Sequence, residues 1–182
     1  WEETGRYIAG EAQGVAAAEK NAAGKAQGIA EVVKDTFCGL PGSVALVGAG
    51  CGKADLITLR GLRLLRQCQA VVYDDLIDEE LLDAAPESAE RIYVGKRSGV
   101  HAASQEEINQ RLIALARSGL KVVRLKGGDP YLFGRGGEEM TALKDAGIFC
   151  QEVPGIPSPM GIAAEAGIPV THRGISRGLY IV

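Results

Sequence analysis

Paired cysteines, histidines, aromatic residues and long apolar runs are all scarce in this chain of 182 residues, and each scarcity excludes something. The four cysteines, Cys38, Cys51, Cys68 and Cys150, form no CxxC pair, and only His101 and His172 could join them as ligands, so no metal site is expected. No apolar run approaches the roughly 18 residues a membrane span needs, and no signal peptide is recognisable, so the expectation is a cytoplasmic protein with reduced thiols and no membrane partner. The formal net charge is only -3, too weak to draw nucleic acid, and an anionic ligand would need a local cluster of Lys and Arg. Aromatics make up 5% of the chain against 25 glycines, a balance that favours an α/β protein with glycines in its strand-to-helix loops.

What the chain does have is 46% hydrophobic content, enough for one packed domain. Its distribution is uneven. Residues 1–42 are rich in Ala, Gly, Glu and Lys, and Gly10, Gly14, Gly24 and Gly28 each cost a helix about 1 kcal/mol relative to Ala, so this extension reads as marginal helix or disorder. The Ala-Gln-Gly triplet at 12–14 recurs at 26–28, an echo that biased composition readily produces.

After Gly39-Leu40-Pro41-Gly42 the pattern changes to short apolar runs alternating with helical periodicity. Strands are predicted at Val44 to Val47, Ala70 to Tyr73, Arg91 to Val94, Lys121 to Leu125 and Phe149 to Val153, each nearly continuous in apolar residues, as buried parallel strands require. Helices are predicted at Leu56 to Cys68, Asp78 to Ala84, Gln105 to Ala116 and Glu138 to Ala146, with Ser104 and Glu107 forming a capping box. The expected fold is α/β, a five-stranded, mostly parallel sheet flanked by helices over 43–153. Residues 154–182 read as a linker with a short helix, then a strand starting near Leu179 that opens a truncated second domain.

Function in such a sheet sits in loops at the carboxyl ends of strands. The first loop, Gly48-Ala49-Gly50-Cys51-Gly52-Lys53, is not a P-loop, because Ala54 stands where Ser or Thr should hold magnesium. A dinucleotide-binding reading keeps some support from Asp74 and Asp75 at the end of the next strand, although the glycine spacing departs from that fingerprint. The most specific segment is Lys126-Gly127-Gly128-Asp129-Pro130-Tyr131-Leu132-Phe133-Gly134-Arg135-Gly136-Gly137-Glu138-Glu139. Its paired glycines expose backbone groups to a ligand, Asp129 can accept hydrogen bonds from hydroxyls or cap a turn, and the Arg135 fork suits carboxylates.

This segment resembles the Gly-Gly-Asp-Pro signature of the tetrapyrrole methylases, and its Gly-Arg-Gly-Gly-Glu-Glu ending resembles the branch acting on uroporphyrinogen III. Gly48 to Gly52, Val72-Tyr73-Asp74-Asp75-Leu76, Gly95-Lys96-Arg97-Ser98-Gly99, Gln105 to Asn109, Pro154-Gly155-Ile156, Gly167-Ile168-Pro169 and Thr171-His172-Arg173-Gly174 extend the likeness in order from about Val44 to Val182. The resemblance implies a two-domain enzyme, usually a homodimer, that methylates uroporphyrinogen III to precorrin-2 with S-adenosyl-L-methionine, releasing S-adenosyl-L-homocysteine, on the way to sirohaem or cobalamin. It implies cofactor contacts, mostly by backbone, at Gly50, Cys51, Gly127, Gly128, Asp129, Leu132, Pro157 and Ser158. It also implies Asp74 as proton acceptor, Lys96 as proton donor, and Arg135 orienting substrate or assisting proton removal, with Lys96, Arg97 and Arg135 meeting the substrate carboxylates. Cys51 and Pro157 depart from the family, which commonly has Pro and Thr there, and Pro157 has no N–H to donate. Another precorrin methylase, or a folded module without activity, are the competing readings.

Overall fold

The central strands are the most uniformly buried segments of the sheet. In the computed structural model, which describes residues 40–95 and 103–182, strand β1 (Ser43–Gly48) is buried along its whole length and β4 (Lys121–Lys126) along all but its first residue. Residues 1–39 and 96–102, and with them Cys38, Lys96, Arg97, His101 and most of the extension, lie outside the described residues. The other strands are β2 (Ala70–Tyr73), β3 (Glu90–Tyr93) and β5 (Phe149–Val153). All pair in parallel in the order β3-β2-β4-β1-β5, with Ser43 beside Lys121 and Phe149, and Ala70 beside Val122 and Glu90.

Because strand side chains alternate, each central strand feeds two cores. Ala45, Val47, Val71, Val123 and Leu125 pack on one face, against Leu64 and Leu65 of helix α1 (Leu59–Leu65) and Leu81 and Leu82 of a 3-10 segment, Glu79–Ala84. Val44, Leu46, Val72 and Val122 pack on the other, against Ile108 and Leu112 of α2 (Gln105–Arg117) and Met140 and Leu143 of α3 (Gly136–Asp145). Handedness explains the allocation. Right-handed crossovers that step one way along the sheet, β1 to β2 and β2 to β3, must lie on one face, and those that step back, β3 to β4 and β4 to β5, on the other. The chain therefore leaves β4 toward the face opposite to the one used by both neighbours, β1 and β2. Crevices open at the carboxyl end of the sheet on either side of β4.

Local chemistry sets the helix ends. The segment predicted as one helix from Leu56 to Cys68 is broken into a 3-10 turn, Ala54–Leu56, and α1, because Thr58 takes an extended conformation and its Oγ1 accepts from the Gly61 amide at 3.2 Å. At α2 the capping box forms, with the Glu107 amide donating to Ser104 Oγ at 3.2 Å and the Ser104 amide to Glu107 Oε2 at 2.6 Å. Helix α4 (Ser158–Glu165) follows β5. The strand expected from Leu179 does not form. Leu179 to Val182 pair with no neighbouring strand among the described residues, and a strand without a ladder partner leaves its peptide groups to water.

Burial pushes the Cys68 thiol up to about 11 and the Cys150 thiol up to about 12, so both are poor nucleophiles near neutrality. The Ser104→Ala variant should lose about 1 kcal/mol, read as a lower urea midpoint with an unchanged slope, because one cap hydrogen bond goes while the buried face of α2 stays.

Candidate functional site

Two glycine turns meet beyond the ends of β1 and β4. The Gly50 amide donates to the Gly128 carbonyl at 3.2 Å and the Gly128 amide to the Gly50 carbonyl at 2.6 Å, while the Ala49 amide donates to the Lys126 carbonyl at 2.8 Å. Both glycines have positive φ, 81° at Gly50 and 65° at Gly128, which a side chain would strain. The turn after β5 closes on this ladder. A Cβ at Gly155 would stand 2.8 Å from Gly48 Cα and overlap the Gly128 carbonyl oxygen, so the three backbones can approach only where side chains are missing.

Asp129 ties the same loops together. Its Oδ1 accepts from the Tyr131 amide at 2.8 Å and its Oδ2 from the Gly155 amide at 3.1 Å. The turn-capping reading of this residue therefore holds, and each oxygen keeps a further lone pair for a hydroxyl. Pro157 and Ser158 lie on the open side of Gly128, where a Cβ would sit 3.7 Å from Pro157 Cα and 3.8 Å from the Ser158 nitrogen. Cys51 Sγ fills the space a side chain at Gly161 would take in α4. Gly50, Cys51, Gly128, Asp129, Pro157 and Ser158 are thus gathered around one ladder, and Leu132 lies half-buried in the following turn. This is a surface of backbone and small groups with little charge, which fits a ligand gripped through peptide groups.

On the β2 side of β4 the character reverses. A cavity of about 430 Å³ is lined by Asp74, Leu76, Gln105, Arg124, Lys126 and Arg135 among others, and Gly127 is the one cofactor candidate in its wall. Asp74 and Arg135, two of the three catalytic candidates that the resemblance implies, share this cavity, while the third, Lys96, lies outside the described residues.

Asp74 is held at both oxygens. Oδ1 accepts from the Leu76 amide at 3.1 Å and Oδ2 from Arg124 Nη2 at 2.8 Å. Arg124 is only 3% exposed; its Nε donates to Glu139 Oε1 at 3.3 Å and its Nη1 to the carbonyls of Leu125 at 2.8 Å and Val72 at 3.4 Å. Glu139 has no exposed surface, and its Oε1 also accepts from Lys126 Nζ at 2.9 Å and Gln105 Nε2 at 3.3 Å, leaving Oε2 without a partner among the described residues. Burial, reinforced by the neighbouring Arg124 charge, lowers the Lys126 ammonium from its ordinary range, and Glu139 pulls partly the other way.

Arg135 is held differently. It sits at φ 55° immediately before α3, and its Nε and Nη2 each donate to the Glu138 carboxylate at 2.7 Å. That pairing raises Arg135 and lowers Glu138, so both stay charged, folded over the helix start at the cavity rim.

Sequence reasoning missed Arg124, Lys126, Glu139 and Gln105 as site residues. A signal was available: Arg124 and Lys126, two positions apart in a strand whose other residues after Lys121 are apolar, must share one face and be buried together, which demands an anion from whatever packs there.

The comparisons with known proteins agree with this architecture. The family model for Tetrapyrrole (Corrin/Porphyrin) Methylases matches residues 43–180. Siroheme synthase 1 of Pectobacterium atrosepticum is 52% identical over 141 residues, which cover 78% of this chain but 29% of that protein. Among solved structures, uroporphyrin-III-C-methyltransferase from Thermus thermophilus superposes with TM-score 0.66 at 46% identity, covering 74% of this chain and 57% of the other. The Thermus thermophilus enzyme complexed with S-adenyl homocysteine gives TM-score 0.62 at 45% identity, over 75% of this chain and 53% of that one. The chain therefore spans under a third of that curated relative and just over half of these solved enzymes.

Removing the buried anion should be costly. Glu139→Ala leaves Arg124 and Lys126 buried without their shared counter-charge, and urea unfolding should report a loss of about 3–5 kcal/mol.

Proposed function

The chain belongs to the tetrapyrrole (corrin/porphyrin) methylases, and from that premise we propose that it carries the methylase step that converts uroporphyrinogen III to precorrin-2 with S-adenosyl-L-methionine. The observation that carries this reading is the juxtaposition, across Gly127, of a charge-poor glycine ladder with a charged cavity holding Asp74. The names of similar proteins, a siroheme synthase and a uroporphyrin-III-C-methyltransferase, support the choice of substrate. Residues 43–153 act as the catalytic domain, 154–182 lead toward a second domain, and the enzyme works as a cytoplasmic homodimer, where free Cys51, Cys68 and Cys150 suit reducing surroundings.

Gly50, Cys51, Gly127, Gly128, Asp129, Leu132, Pro157 and Ser158 would hold the cofactor; a backbone-lined surface tolerates the Cys51 departure because few of its contacts depend on side chains, whereas Pro157 gives up the amide donor at its position. The cofactor supplies a methyl group already activated on a sulfonium. What the protein adds is alignment, exclusion of water and a place for the proton lost as the ring rearranges. Asp74 is the acceptor, its carboxylate aimed by Arg124 and the Leu76 amide. Lys96 is the donor. Arg135, at the rim, exchanges Glu138 for a substrate carboxylate and orients the ring.

The test is methyl transfer from labelled S-adenosylmethionine to uroporphyrinogen III, followed by extraction of the tetrapyrrole. Label should appear in the extract, and Asp74→Asn should lower kcat by about a hundredfold or more while calorimetric binding of S-adenosylhomocysteine persists. Transfer confined to later, already methylated precorrins would overturn the substrate assignment.

A further inference from the structure

The two cations under the cavity differ in what they have left to give. Arg124 spends four of its five N–H bonds on the protein: Nε on Glu139, both Nη1 hydrogens on carbonyls and one Nη2 hydrogen on Asp74. Lys126 spends one of three. Among the described residues, the only acceptor its ammonium meets is Glu139 Oε1 at 2.9 Å, although the residue is 5% exposed and lines the cavity. A buried ammonium with unspent donors is under-solvated, and an acceptor brought in by a ligand relieves that cost.

The chemistry of the ligand narrows what that acceptor can be. In a porphyrinogen every pyrrole nitrogen carries a hydrogen and has its lone pair in the ring, so the macrocycle offers donors and no σ acceptor. The strong acceptors are the acetate and propionate carboxylates on its edge. Among the described residues, the other cavity cations are engaged: Arg124 as above, and Arg135 at the rim with Glu138 through two hydrogen bonds, an exposed pair that a substrate carboxylate can displace. Glu139 fixes where the Lys126 charge stands. It is fully buried, so it draws Nζ against α3 and limits the conformations from which the remaining N–H bonds can reach the cavity.

We infer that Lys126 is a ligand-contacting, specificity-determining residue whose ammonium, positioned by Glu139, donates to a carboxylate of a polycarboxylate tetrapyrrole in the cavity between β2 and β4. This rests on the function proposed above and adds a residue to the Lys96, Arg97 and Arg135 set read from the sequence. Glu139 is a positioning residue in this scheme, since it acts through Lys126 and Arg124.

The experiment is equilibrium binding of uroporphyrin III, the oxidised and non-methylatable relative with the same carboxylate arms, followed by quenching of its fluorescence. The full chain would be compared with Lys126→Met, with the double variant Lys126→Met plus Glu139→Gln, and with Lys144→Met, which removes an exposed lysine on α3. A ligand contact predicts about tenfold weaker binding or more in both Lys126 variants and unchanged affinity in Lys144→Met. The double variant is decisive because it removes the Lys126 and Glu139 charges together, leaving no orphaned carboxylate and Arg124 still paired with Asp74. If it regains full affinity, Lys126 is only the counter-ion of Glu139, and the inference fails; it fails equally if Lys126→Met alone binds normally. Calorimetry with S-adenosylhomocysteine separates the layers. A wild-type chain that binds S-adenosylhomocysteine but not uroporphyrin III overturns the substrate reading and this inference with it, whereas loss confined to the Lys126 variants supports both.

Discussion

Glu139 is a carboxylate with no exposed surface, and the geometry of the charged cavity follows from where it stands. Its Oε1 gathers Arg124 and Lys126 from β4 and Gln105 from the first turn of α2, and Arg124 passes the constraint on to Asp74 at the end of β2. Three elements distant in sequence are thereby locked at the carboxyl end of the sheet. Such a network is not the cheapest way to fill a core, since apolar residues of similar volume are often neutral or stabilising in place of a buried ion pair. What it supplies is fixed orientation, and its position beside an open cavity gives that orientation a use.

The glycine ladder supplies the opposite quality. Gly50 and Gly128 bring the β1 and β4 turns within hydrogen-bond distance, and Gly155 lets the β5 turn lie directly on them. The close approach needs no charge and leaves a wall of peptide groups. Topology puts the two walls next to each other. Because the chain leaves β4 toward the face opposite to that used by β1 and β2, crevices open on both sides of one strand, and the turn after that strand, Gly127-Gly128-Asp129, serves both.

Much of this was legible in the sequence, and the illegible parts share a cause. All five strands lie within about a residue of their predicted bounds, because short β-branched and apolar runs bounded by turn signals mark strands even where polar residues interrupt them, as in β3 and β5. Ser104 and Glu107 cap α2 as predicted, since a capping box is local. The break at Thr58 was missed although the cap is just as local, because the apolar periodicity on both sides hides it. Leu179 reads as a strand start, but strand formation depends on a partner that no residue at that position reveals. The site divides the same way. Glycine turns announce themselves by composition, whereas the link from Glu139 to Arg124 and Lys126 crosses from α3 to β4, and only the packing of helix on sheet makes it visible.

The separation of the two walls is also a chemical argument. In the proposed reaction a cationic methyl donor must lie beside a polyanionic acceptor, and in one undivided pocket the sulfonium and a carboxylate would pair with each other in place of aligning methyl to carbon. On the backbone-lined surface the Asp129 carboxylate is already engaged by the Tyr131 and Gly155 amides, while Asp74, Arg124, Glu139 and Lys126 form a set balanced in itself, with two carboxylates against two cations. A carboxylate arm of the acceptor then has reason to settle on Lys126, away from the ladder. Gly127 stands between the two surfaces, and a side chain there would meet Leu76, with its Cβ 2.6 Å from the Leu76 Cβ. The absence of a side chain at Gly127 therefore keeps the β2 and β4 turns together and leaves the boundary between donor and acceptor open for transfer.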